Sequence, residues 1–225
     1  RSDAATRLMM ALYANKRNTF SHVDFNKMNI NLSGRTLTIF KEAADILCDI
    51  TQNIRINWSF PENRGSTRYL RRVCVDHQIL RIVTIEGDYR ILEPERDPTK
   101  FRANTPAYAK MLHDLSTMEN KGPQILSNFL KPYFEEYGQG ELAVSLMLLL
   151  ARRYYGDSLR FKLNPTNLSD FHIATGQDMI DLVQEKNPSS VIIFDPVSDE
   201  EKAYFATIVQ VFSNQPAPAG KVYTI

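Results

Sequence analysis

Apolar residues recur at helical spacing in the first stretch of the chain, where Leu8, Met9, Leu12 and Tyr13 follow a potential cap at Asp3 and predict a helix. The spacing then shortens, and Val23, Phe25, Met28, Ile30 and Leu32 predict a strand with a break near Lys27. Leu37, Phe40, Ala44, Leu47 and Ile50 return to the helical period and predict an amphipathic helix. IRINWSF reads as a strand and Pro61 to Gly65 as a loop. LRRVCVDHQILRIVTI, dense in β-branched residues, reads as a long strand whose hairpin partner is YRIL across an EGDY turn.

PERDPTKFRANTP, with three prolines and mixed charges, reads as a linker. Beyond it the period is helical. Thr105-Pro106 and Gly122-Pro123 predict helix starts, because proline fits the first helical position where its missing N–H is not needed. Pro132 predicts a break or kink. Gly140 to Tyr155 is apolar nearly all round and predicts a central helix ending at a Gly156 cap. Thr175 caps TGQDMIDLVQEK, SSVIIF is a short buried strand, and Ser198 with Glu201 forms a capping-box pattern before the last helix. The tail QPAPAGKVYTI is extended or loose. Together these elements predict an α+β fold. A small mixed or antiparallel sheet occupies residues 1–95, and a mainly helical part with one short strand occupies 96–225.

Composition narrows the function classes. At 225 residues and 43% hydrophobic the chain can bury a sizeable core. Lys and Arg total 27 against 26 acidic residues, so the chain as a whole is no polycation and any nucleic-acid contact must be a local patch. Cys48 and Cys74 stand apart with no metal-ligand spacing, which points to reduced thiols in an intracellular, cytoplasmic setting instead of a disulfide scaffold or zinc site. The apolar run Leu142 to Ala151 is about half a membrane span, which argues against a membrane role. The opening RSDAATRLMMALYANKR lacks the order of a signal peptide and, beginning with Arg1, points to an excised or processed chain.

The local patch lies in the middle of the chain. Arg64, Arg68, Arg71, Arg72 and Arg81 are accompanied only by Asp76, a surplus of positive charge suited to a phosphate backbone. Trp58, Phe60, Tyr69, Tyr89 and Phe101 are aromatics able to stack on bases or to join the core. The competing reading is a solvated strand face whose arginines pair with Glu86, Asp88, Glu93 and Glu95. On a strand, Arg71 and Arg72 would point to opposite faces.

Gly65-Ser66 followed by Asp76-His77-Gln78 resembles the polymerase-β-like nucleotidyltransferases, the superfamily of poly(A) polymerases, terminal uridylyltransferases and oligoadenylate synthetases. GELAVSLMLLLARRYYG and SVIIFDPVSDEEKAYFATIVQVF are similar to that family's later helix, closing strand and final helix. The resemblance implies nucleotide binding at Gly65 and Ser66 and a magnesium-ligating carboxylate at Asp76, with a further one from Asp24 or Asp88. Gln78 stands where the family has its second carboxylate, and Asp195-Pro196 runs into the Ser198 cap where the family has an Asn-rich segment. Both departures imply a degenerate member that needs no cofactor.

His22, His77, His113 and His172 are scattered and read as structural or exposed. Arg152 and Arg153 read as partners of the helix dipole, or as an extension of a basic surface with Arg160 and Lys162. The function expected is an RNA-associated, non-catalytic domain that binds phosphate through a basic hairpin. It would be a pseudo-nucleotidyltransferase module or a viral nucleocapsid-like or replication-complex component. The alternatives are an active, magnesium-dependent nucleotidyltransferase fragment and a protein-only scaffold domain that meets a protein partner or a second copy of itself.

Overall fold

The computed structural model describes residues 34–59, 65–101, 106–119, 121–184 and 187–196, with further residues between 198 and 211. The helix and strand expected before residue 34, the tail, and Arg64, Asp24, His22 and Phe60 lie outside the described residues. The fold is α+β, with two three-stranded antiparallel sheets among helices.

Helix α1, Arg35–Cys48, buries Phe40, Ala44 and Leu47 of the stripe its period predicts, together with Ala43, while Leu37 and Ile50 are half-buried. Strand β1, Ile54–Asn57, pairs with β3, Tyr89–Pro94, which pairs in turn with β2, Leu80–Glu86, so β1 and β2 are the edges. Gly87, at φ +58°, makes the turn between β2 and β3, a backbone region glycine enters without a Cβ clash. The register shifts between Ile82 and Thr84, leaving Val83 as a bulge.

The segment ahead of β2 departs from expectation. Gly65–Leu70 is a helix, α2, continued by a π turn over Arg71–Val75, and only Leu80 onward is strand. The β-branched residues suggested a strand, but Leu70, Val73, Cys74 and His77 stand at i, i+3, i+4 and i+7, and all four are buried. Burial of that helical stripe in the core decides the conformation over local propensity.

The segment read as a linker is docked. Asp97 caps a 3-10 turn at Pro98–Lys100, and the Phe101 ring packs 5.5 Å from that of Tyr108. Arg96 donates to the Tyr154 carbonyl, and the Tyr154 hydroxyl donates back to the Arg96 carbonyl. Helix α3, Pro106–Ser116, opens on its proline as expected. The Gly122-Pro123 helix start is displaced: strand β4, Gln124–Ile125, intervenes before α4, Leu126–Glu135. Pro132 lies inside α4, which ends within a turn of it. The carbonyl to which it can donate no N–H belongs to exposed Asn128. Buried Tyr133 ties α4 to α3 by donating to Asp114, 2.6 Å away, whose charge Lys110 balances at 2.8 Å. Burial and that bond raise the Tyr133 phenol well above its usual range.

Helix α5, Glu141–Tyr155, is buried on every side from Ala143 to Ala151 and ends at Gly156, φ +64°. It packs against α1, α3 and α6, Gly176–Val183, and touches both β3 and β5, Leu159–Lys162. Strand β6, Val191–Phe194, lies between β4 and β5 in the second sheet, so the described residues beyond 95 hold three strands where the pattern predicted one. Thr175 caps α6 in a capping box with Asp178, and both bonds of the Ser198 and Glu201 box are present. Buried residues from Phe40 to Phe194 form one cluster across both sheets.

Candidate nucleic-acid interface

The helical form of residues 65–75 rearranges the basic patch. Arg68, Arg71 and Arg72 now stand at i, i+3 and i+4, one face of a helix, and all three are exposed. Strand alternation would have divided them. On the same turn the opposite face is closed by Ser66, Thr67, Leu70, Val73 and Cys74.

Trp58 joins this surface to the first sheet. Its backbone N–H continues the β1 ladder by donating to the Asp88 carbonyl at 2.8 Å. The Arg71 guanidinium lies 5.0 Å from the indole centroid and that of Arg90 lies 5.7 Å from it, both within cation–π range. Arg90 is held in place by bonds to the Gly87 and Tyr89 carbonyls at 2.8 and 3.1 Å. The Arg55 guanidinium lies 4.3 Å from the Tyr89 ring centroid and also pairs with Glu86 at 3.4 Å. Arg55 and Arg90 escaped the sequence reading, although the hairpin register sets Arg90 beside Ile56 and so near Trp58.

Several other basic residues hold partners away from this face. Arg81 sits on β2, paired with the cross-strand Glu93 at 3.5 Å, so its charge is partly met as the competing reading predicted. Arg160 binds Asp195 at 2.6 Å and Asp170 at 3.5 Å. Lys162 donates to the Asn167 carbonyl. Arg152 and Arg153 leave their own helix and reach the end of α1: Arg152 donates to the Cys48 carbonyl at 2.8 Å, and Arg153 to Leu47 at 2.9 Å, Ile46 at 3.1 Å and Gln52 at 2.5 Å. They satisfy carbonyls that the last turn of a helix leaves unpaired. Burial lowers Arg153 to about 10, so it remains protonated at neutral pH.

The residues tied to nucleotidyltransferase chemistry are arranged differently from the expectation. Gly65 packs on α1, where an added Cβ would lie 2.8 Å from the Ile39 side chain, and Ser66 is buried beside it. Asp76, His77 and Gln78 form a turn, with Gln78 at φ +59°, so Asp76 and Gln78 do not share a strand face. Asp88 stands at the far end of β2 from Asp76, roughly 20 Å along a strand of that length. Among the described residues no three His, Cys, Asp or Glu side chains group as metal ligands. Ser145, in the GELAVSLM stretch, is buried and its hydroxyl donates to the Glu141 carbonyl at 2.8 Å.

His77 is buried, while His113 and His172 are exposed. Cys48 and Cys74 are buried and form no disulfide, and desolvation pushes Cys48 up to about 12. Among the described residues no helix is long and apolar enough to cross a membrane. Comparison with family models, curated proteins and solved structures finds no match to this chain.

Proposed function

We propose that the protein is an RNA-associated domain without chemistry of its own, and that it holds phosphates with Arg68, Arg71 and Arg72. The observation that carries the reading is the alignment of these three exposed arginines on one helical face beside Trp58. Guanidinium groups on a rigid helix bind phosphate bidentately, and an adjoining indole gives a base a surface to approach. The set of contacts expected from the sequence is narrowed accordingly. Arg81 is paired with Glu93 and contributes little, and Arg64 lies outside the described residues.

The test is fluorescence anisotropy of a labelled single-stranded RNA titrated with the protein at several salt concentrations. Removing three phosphate contacts in the Arg68→Gln/Arg71→Gln/Arg72→Gln variant lowers the slope of log affinity against log salt by about 2. An Arg160→Gln control, whose arginine is already held by Asp195 and Asp170, retains wild-type binding. Salt-independent binding, no binding by folded wild type, or an unchanged slope in the triple variant overturns the proposal.

A further inference from the structure

Strand β2 is an edge of the first sheet, and every residue from Arg81 to Glu86 is exposed. An edge strand offers a row of backbone groups for pairing, and proteins ordinarily blunt such edges with charge, with bulges or with a cover. Here the edge carries three apolar side chains: Ile82 is 42% exposed, Val83 38% and Ile85 64%.

The bulge at Val83 sets the faces. Ile82 opposes Leu92 and Ile85 opposes Arg90, and Leu92 and Arg90 share a face of β3. Ile82 and Ile85 therefore lie on one side of the sheet, although three residues apart. Arg81 opposes Glu93 and Glu86 opposes Tyr89, which places both charges on the other side. Read toward a second β2 running antiparallel about a two-fold axis, the order Arg81, Ile82, Val83, Thr84, Ile85, Glu86 is self-complementary. One register places Arg81 against Glu86, Ile82 against Ile85 and Val83 against Thr84, and the symmetry repeats each pair. Faces match in this register: charge meets opposite charge on one side and isoleucine meets isoleucine on the other.

We infer that two copies of this chain associate through β2, forming a continuous six-stranded sheet in the order β1, β3, β2 and then β2, β3, β1 of the second copy. The occupant is a second copy because the strand complements itself in charge and in apolar placement at a single register. Self-association requires Arg81 and Glu86 to be shared between their present partners, Glu93 and Arg55, and the opposing strand; all are surface groups free to turn.

Sedimentation or light scattering of the whole chain across a wide concentration range tests this, with circular dichroism to establish that each variant is folded. Wild type reaches twice the chain mass. Arg81→Glu alone sets glutamate against Glu86 at both ends of the strand pair, and Glu86→Arg alone sets arginine against Arg81; each is monomeric. An equimolar mixture of the two restores dimer, because both cross-pairs then unite opposite charges. Misfolding of either variant cannot produce that rescue. A monomeric wild type, or a dimer whose mass ignores both charge reversals, overturns the inference.

Discussion

Arg152 and Arg153 illustrate how little a residue type says about its partner. Their position at the end of α5 pointed to the dipole of that helix, yet their protons go to the last carbonyls of α1, about a hundred positions earlier in the chain. Charge was legible in the sequence; the acceptor was not, because it is supplied by tertiary packing. The same limit applies to Arg81 and Arg160, whose carboxylate partners follow from sheet register and loop position. Arg153 bridges three carbonyls in a half-buried setting, so Arg153→Met leaves them to be solvated at the edge of the core. The expected loss is about 2 kcal/mol, in the range for hydrogen bonds to charged groups. Arg153→Lys keeps the charge without the planar fork and recovers only part of it. Urea unfolding midpoints of the three proteins measure both effects, and equal midpoints for wild type and Met would refute the capping role.

Two glycines at helix starts make opposite predictions at the scale of elements. Gly176 opens α6 where a Cβ would stand 2.4 Å from the Ala44 Cβ, and its N–H donates to Asp45 at 2.7 Å. Neither Ala44 nor the backbone around it can turn aside, so Gly176→Ala forces α6 away from α1 and costs about 1–3 kcal/mol. At Gly65 the nearest atoms are the end of the Ile39 side chain, which can change rotamer, and alanine brings a helix propensity gain of up to about 1 kcal/mol. Gly65→Ala is accordingly near neutral. Thermal unfolding of the two variants separates them, and similar losses would mean that helix spacing does not govern either site. Elements with a long apolar period were legible: α1, α5 and α6 fall close to where the pattern placed them. Residues 70–75 were not, because strand-favouring residue types concealed a helical burial stripe. Strand β4, two residues long, was too short to register a period, and both β4 and β5 are set by pairing with β6. The candidate surface shared this fate: its arginines were visible, while their common face depended on the conformation that was misread.

For the molecule as a whole, the pattern suggested a division near residue 95, whereas the buried cluster runs across it. Phe101 and the Arg96 to Tyr154 exchange anchor the intervening segment, and α5 touches strands of both sheets. A fully enclosed helix shared by two sheets couples their stability, since neither sheet retains its packing once that helix is lost. The sole tryptophan, Trp58, extends the first sheet, so its fluorescence reports that part; far-ultraviolet circular dichroism is dominated by the helices, most of which follow residue 95. The two signals are expected to change together in urea, the behaviour of one cooperative unit. Leu148→Ala, at the fully buried centre of α5, should shift both midpoints equally through a loss of about 2–5 kcal/mol. If the helical signal alone moved, and fluorescence kept its wild-type midpoint, the first sheet would be folding independently and the division near residue 95 would mark two domains despite their shared core.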